Sequence, residues 1–427
     1  MKRAIVVGSG AGGATVAKEL QGRFAVTILE AGREFHPFSV GMPALERLRR
    51  TVLFLDEGLI HLLFPAMQIR KTPDRMVLVN GLGVGGTTPL SAGNALRQDQ
   101  DLRALGIDLD AEFDEVYREI PVTSHHQRLW REPTRRLFAI CSELGLDPQP
   151  TPKLGDYERC TGCGRCVLGC ARRVKWDSRR FLEQALSRGA TLQTGCEVER
   201  VVVKEGRAVG VEARTGWGRR YLPADLVVLA AGGLGTPVIL QNSGFPCEGA
   251  LFVDPVLCVA AEWQGCRQSC EPSMPFVVQR DHYILAPYFD YLSFFFNRAW
   301  RYPSQDIYGV MIKLADEGNG GVTRGKVTET LTPLDHQRLA GAVELCRELL
   351  VRAGAKAEGL FLGTLNAGHP GGLLPLTERE AASLHHTSLP GNLYVADATL
   401  LPHSLGNPPI LTIIALAKRV SRICAQA

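Results

Sequence analysis

Ala4-Ile5-Val6-Val7, Gly8-Ser9-Gly10-Ala11-Gly12-Gly13 and Ala25-Val26-Thr27-Ile28-Leu29-Glu30 decide how this chain folds at its start. The four apolar residues read as a short buried strand, and Ala14 to Leu20 reads as a helix behind the glycines. Gly8, Gly10 and Gly13 stand in the G-x-G-x-x-G spacing. The first two permit a tight turn and close approach of backbone to a pyrophosphate, and the third lets helix pack on strand. The helix N-terminus favours the phosphate charge, and Ala11 counts among the cofactor-binding residues. Glu30 closes the second strand 20 residues beyond Gly10, where a carboxylate accepts hydrogen bonds from a ribose diol, and Ala31 follows it. Strand, helix and acid in one register predict a dinucleotide site.

The motif alone does not separate FAD from NAD. Further on, Cys196 to Val203 and Ala208 to Ala213 alternate as strands around Lys204-Glu205-Gly206-Arg207. They lead into the apolar strand Asp225 to Ala231, then Gly232-Gly233. A hairpin returning to such a strand resembles the way two-dinucleotide-binding flavoproteins complete an FAD site.

Four stretches then resemble the glucose–methanol–choline (GMC) oxidoreductases: Gly8 to Glu30; Val84-Gly85-Gly86-Thr87-Thr88 with Ser91-Ala92-Gly93-Asn94; Thr194 to Val198 with Ala231 to Pro237; and Gly391 to Ala398 with Gly406-Asn407-Pro408-Pro409 before a terminal helix. The resemblance implies that Gly85, Gly86, Thr87 and Asn94 lie along the flavin and that Val198, Ala231 and Gly232 serve the adenine side. It implies Asp397 at the FAD phosphate and ribityl region, and Asn407 and Pro408 at the catalytic face. The family's catalytic pair is a histidine and a later histidine or asparagine, which here correspond to His369, in Gly368-His369-Pro370-Gly371-Gly372, and Asn407. By residue type alone, His369 in a glycine loop suits a general base or a surface turn, and Asn407 before two prolines also suits a turn start.

Cys160-Thr-Gly-Cys163-Gly-Arg-Cys166-Val-Leu-Gly-Cys170 has the C-x2-C-x2-C-x3-C spacing with which bacterial ferredoxins hold iron–sulfur clusters. A [4Fe-4S] cluster is the favoured occupant, with structural zinc or free thiols as the other readings. Cys170, or a remote thiol such as Cys196, Cys266 or Cys270, would complete the ligand set. The run is absent from the familiar GMC oxidases. Arg159, Arg165, Arg172, Arg173, Lys175, Arg179 and Arg180 surround it, as a solvated basic face or a docking patch for an acidic electron carrier.

With 427 residues, 45% hydrophobic and 22% charged, the chain is long enough for two domains, and a net charge of +4 does not suggest nucleic acid. Twelve cysteines, mostly scattered, fit a reducing compartment rather than a disulfide framework. The nucleotide strand starts at once, leaving no room for a signal peptide, and no apolar run reaches the ~18–20 residues of a spanning helix. Cytoplasm is therefore expected.

The expected fold class is α/β (α+β overall). A Rossmann-like FAD-binding domain would come from residues 1–35, 78–100, 155–250 and 365–427, with a cysteine insert at 156–180. A smaller substrate or cap domain would come from residues 36–77, 101–154 and 251–364. Its antiparallel sheet is signalled by Phe276 to Val278, His282 to Ala286 and Tyr308 to Lys313. Leu48 to Met67 reads as an amphipathic stretch, either core or lid, and Arg103 to Leu146 as helices broken at Pro121 and Pro133. Phe289, Tyr291, Phe294, Phe295, Phe296 and Trp300 read as core or as a greasy pocket. Leu334 to Val351 reads as a helix.

The expected activity is an FAD-dependent dehydrogenase for a CH–OH group on a small molecule. Electrons would leave through the cluster to a one-electron carrier such as a ferredoxin. The same parts run backwards would make a reductase of a carbonyl or activated C=C bond, and without a substrate site they would make an electron-transfer subunit.

Overall fold

The computed structural model describes residues 1–49, 57–323 and 325–426. Arg3–Val7 and Ala25–Leu29 are strands with the helix Ala11–Glu19 between them. They belong to a five-stranded sheet in the order Leu393–Val395, Leu226–Leu229, Arg3–Val7, Ala25–Leu29, Thr191–Gln193. Every pairing in it is parallel, with Val6 opposite Val228 on one side and Ile28 on the other. Such strands are covered on both faces, which is why they read as apolar runs rather than as alternation. The helices Arg179–Ser187 and Ile410–Cys424 pack beside Ala11–Glu19. Ile410–Cys424 buries Leu411, Ile414, Leu416 and Val420 completely, so the tail is an integral part of this core.

The expected hairpin is present as Glu197–Lys204 and Arg207–Thr215, and a third antiparallel strand, Gly218–Pro223, extends it. That third strand escaped the sequence reading because it is mostly exposed and has no apolar alternation to betray it.

The second large sheet runs Met67–Lys71, Val77–Gly81, Asn366–Ala367, Pro255–Glu262, Ile307–Leu314, Tyr283–Pro287, Phe276–Gln279, Gln149–Pro150. Leu360–Leu362 also pairs with Pro255–Glu262, and only Asn366–Ala367 on Val77–Gly81 is parallel. These two strands pair within the second sheet, although the expected division gives residues 78–100 and 365–427 to the nucleotide domain. The chain leaves this sheet there and turns toward the nucleotide side, bringing Gly86 and His369 to the junction.

Pro333–Arg352 is a helix, started by a capping box between Thr332 and Asp335. Pro133 does not break a helix but sits in the first turn of Glu132–Glu143, where its missing N–H costs nothing. Of the stretch Leu48 to Met67, residues 50–56 lie outside the described residues. Ile60 and Phe64 beyond them are buried in the second core. Among the described residues no helix is long and apolar enough to cross a membrane.

Candidate active site

A cavity of about 1040 Å³ runs between the two sheets, from the first glycine loop to His369. Its walls include Gly8, Gly10, Ala11, Glu30, Ala31, Gly86, Thr87, Asn94, Val198, Ala231, Gly232, Asp397, Pro408 and His369. Gly13, Gly85 and Asn407 are not part of the wall.

Gly12 touches the turn after the tail strand: a Cβ there would lie 1.6 Å from the Ala396 carbonyl oxygen. Gly86, at φ +56°, faces Gly10, whose Cα lies 2.8 Å from where a Gly86 Cβ would stand. Side chains at these places would strike neighbouring backbone, so the glycines let the first loop, the tail turn and the Gly86 segment close together around the cavity. Glu30 is buried and holds the loop: Oε2 accepts from Ser9 N (3.1 Å) and Ser9 Oγ (2.5 Å), and Oε1 accepts from Gly32 N (2.9 Å). Burial raises its carboxyl above the usual range despite these donors. Gly85 works behind the wall, its N–H donating to Ser9 Oγ (3.0 Å). Asp397 joins the tail to the Ala231-Gly232 turn, accepting from Gly232 N (2.9 Å), Thr236 Oγ1 (2.6 Å) and Thr399 N (2.9 Å).

At the far end His369 is partly exposed, its side chain 24% accessible, with Nδ1 3.6 Å from Asp254 Oδ2. Nδ1 is buried without a hydrogen-bond partner. Asp254 is buried against Lys313 Nζ, and its other oxygen takes the Ser404 hydroxyl and, at 3.4 Å, Gly406 N. Burial alone would raise the Asp254 carboxyl, but Lys313 and then His369 hold it below the ordinary value. Burial, then Lys313, lowers the His369 imidazole below 6.5, with Asp254 pulling the other way. A neutral imidazole in a cavity is a competent proton acceptor. The sequence reading missed Asp254 and Lys313. One signal was available: Lys313 is the lone charge in Ile307–Leu314, a strand buried throughout, and buried charges need partners.

Asn407 is buried, but its amide faces Gln279, with Oδ1 3.2 Å from Gln279 Nε2 and Nδ2 3.3 Å from Gln279 Oε1. Asn94 Oδ1 accepts from Lys153 Nζ at 2.5 Å. Phe38, Phe64, Tyr291, Leu292, Phe295 and Phe296 give the cavity an apolar flank, while Phe294 and Trp300 are packed in the core behind it. The aromatic cluster is therefore both pocket and core.

The cysteine loop adjoins this cavity. The turn Cys166–Leu168 packs on Thr88–Leu90, Val167 and Leu168 form part of the cavity wall, and Phe38 N donates to Leu168 O at 3.0 Å. Cys160 lies within electrostatic reach of Cys163, Cys166 and Cys170. Among the described residues no three His, Cys, Asp or Glu side chains converge on a single metal-ion position. Of the remote thiols, Cys270 abuts the loop beside Thr161 and Gly162. Cys196 lines the nucleotide cavity instead, and Cys266 Sγ donates to the Ile307 carbonyl at 3.1 Å. The basic residues around the run divide: Arg159, Arg172, Arg173 and Arg180 are exposed, Lys175 is buried, and Arg179 pairs with Asp177 at 2.8 Å.

A sequence model of the GMC oxidoreductases matches residues 3–250. An uncharacterized protein of Methanocaldococcus jannaschii is 26% identical over 98% of this chain and 98% of its own length. An uncharacterized GMC-type oxidoreductase of Mycobacterium tuberculosis is 31% identical over 56% of this chain, which spans 39% of that protein. A long-chain-alcohol oxidase of Arabidopsis thaliana is 24% identical over 99% of this chain and 66% of its own length. Pyridoxine 4-oxidase from Mesorbium loti shares the fold with a TM-score of 0.73 at 16% identity, covering 99% of both chains. A formate oxidase variant of Aspergillus oryzae does so at 0.71 and 14%, covering 99% and 98%. The glycine cradle, the tail aspartate and the match over residues 3–250 agree: this chain belongs to the GMC oxidoreductase family.

Proposed function

We propose that this protein is an FAD-dependent dehydrogenase oxidising a CH–OH group to a carbonyl, with an iron–sulfur cluster on Cys160, Cys163, Cys166 and Cys170 serving an external one-electron acceptor such as a ferredoxin. The observation that carries the reading is one continuous cavity with the dinucleotide cradle at one end and a neutral-leaning histidine at the other. Gly8, Gly10, Ala11, Glu30, Ala31, Gly86, Thr87, Val198, Ala231, Gly232, Asp397 and Pro408 would hold FAD. Bound there, FAD supplies the acceptor for a hydride from the carbinol carbon.

His369 supplies the other half of the balance. With Nδ1 turned to Asp254, the Nδ1–H tautomer leaves the Nε2 lone pair free for the hydroxyl proton. The alcohol thus loses a proton to Nε2 and a hydride from carbon. Asp254 favours the imidazolium that results, and Lys313 keeps it from forming beforehand. Asn407, paired with Gln279, would bind the substrate oxygen only by giving up that partner. The apolar flank excludes water and suits a hydrophobic alcohol.

Two observations support the cluster. Tyr157 is fully buried, its hydroxyl has no hydrogen-bond partner, and the thiols that act on it most are Cys166, Cys160 and Cys170. The loop also adjoins the segment expected along the flavin. Such a cluster supplies one-electron transfer, which favours an external acceptor over oxygen.

Oxygen-free purification followed by iron, sulfide, zinc and flavin assays tests both groups. Anaerobic bleaching of the flavin by alcohols, with His369→Ala as the comparison, tests the chemistry. The variant should keep FAD and reduce it about 10²–10⁴-fold more slowly. Undiminished reduction would remove His369 from the mechanism, and flavin without iron would remove the cluster.

A further inference from the structure

Among the described residues five lysines are buried: Lys18, Lys153, Lys175, Lys313 and Lys418. Three have carboxylate partners. Lys418 meets Glu19 (2.7 Å), Glu119 (3.0 Å) and Glu115 (3.3 Å); Lys18 meets Glu119 at 2.8 Å; Lys313 meets Asp254. The other two have none. Lys153 Nζ donates to Asn94 Oδ1 (2.5 Å), Ser273 O (2.6 Å) and Ala92 O (3.4 Å). Lys175 Nζ donates to Thr88 O (2.9 Å), Pro89 O (2.9 Å) and Ser91 Oγ (3.5 Å). The carboxylate that acts on Lys175 is Asp177, whose oxygens are both engaged by Arg179 at 2.8 Å.

A buried ammonium without a counter-charge is costly, and carbonyl oxygens do not neutralise it. Both exceptions lie at the cysteine loop. The thiols whose ionised form would act on Lys153 are Cys166 and Cys160; for Lys175, after Asp177, they are Cys166 and Cys170. Tyr157, with its unpartnered hydroxyl, packs in the same place: a Cβ on Gly93 would lie 2.7 Å from Lys175 Cγ and 3.1 Å from the Tyr157 oxygen.

We propose that Lys153 and Lys175 are the internal counter-charge of a thiolate-held iron–sulfur cluster, that the Tyr157 hydroxyl donates to it, and that all three raise its reduction potential. The inference rests on the cluster proposed above. Four thiolates on a doubly positive [4Fe-4S] core leave two negative charges, matched by two ammonium groups. Reduction takes one electron from the reduced flavin into the core, breaks no bond and makes the charge more negative. Fixed positive charge beside the sulfurs therefore favours the reduced form, and a hydrogen bond that the Tyr157 hydroxyl would donate to a ligand sulfur would act in the same direction.

The test is a redox titration, followed by electron paramagnetic resonance, of oxygen-free holoprotein carrying Lys153→Met or Lys175→Met. At a fixed ambient potential the reduced-to-oxidised ratio should fall at least tenfold, a midpoint lower by about 59 mV for one electron. An unchanged midpoint with iron intact overturns the counter-charge and leaves the cluster standing. Wild-type protein without iron overturns the cluster and this inference with it. Where a lysine variant loses its iron, Tyr157→Phe removes a single hydroxyl. Its midpoint should fall in the same direction, and no change there overturns the proposal.

Discussion

Lys313, in the cavity wall, and the pair Lys153–Lys175, bonded to the wall residues Asn94 and Thr88, are all buried, yet the protein treats them oppositely. At Lys313 the chain supplies its own carboxylate, Asp254, and uses the pair to tune His369. At Lys153 and Lys175 it supplies only carbonyls, an amide and a hydroxyl. A paired charge is finished architecture. An unpaired buried charge is what the proposed cluster at the cysteine loop would neutralise.

The sharpest way to break this contrast is Asp254→Asn. It leaves Lys313 buried without a counter-charge and should cost about 3–5 kcal/mol in urea unfolding. The double variant Asp254→Asn, Lys313→Met should recover most of that loss. A single variant as stable as wild type would show that the pair is not structural.

The next effect is on pH. A base works when neutral, so flavin reduction should be level through neutral pH and fall only in acid, since burial and Lys313 hold His369 below 6.5. Lys313→Met removes a cause that lowers His369 and leaves Asp254, which raises it. The acid limb should then move up by about one unit, roughly 1.4 kcal/mol. A limb that stays in place would detach Lys313 from the site.

The smallest effect is expected at Cys270, beside the loop but outside the ferredoxin-like spacing. Cys270→Ser should leave the iron content of oxygen-free protein unchanged. Loss of iron there, with iron retained in Cys170→Ser, would move the fourth ligand to Cys270.

The nucleotide end was legible because its function is carried by local backbone geometry. Gly8 to Glu30 encodes strand, turn, helix and strand within one short run, and the parallel sheet follows from the apolar strands. The antiparallel sheet was legible from the runs around Phe276, Ile284 and Val310, which pair as read. Gly218–Pro223 was not, because an exposed strand leaves no hydrophobic period. The side-chain end was legible only in part. His369 was marked by its glycine loop, while Asp254, far away in sequence, carried no mark. Asn407 had the right neighbours, but its orientation toward Gln279 depends on a strand from the other sheet.

By itself the sequence determined the dinucleotide cradle, the parallel sheet, the histidine of the cavity and the four cysteines, since each depends on residues close together in the chain. Tertiary structure decided which charges meet. Asp254 reaches Lys313 and His369 through the register of Pro255–Glu262 with Ile307–Leu314, while Lys153 and Lys175 hydrogen-bond to no carboxylate, the one acid acting on Lys175 being Asp177, which is engaged by Arg179. The energy of a buried charge depends on its neighbours in space, and those neighbours exist only once the chain has closed.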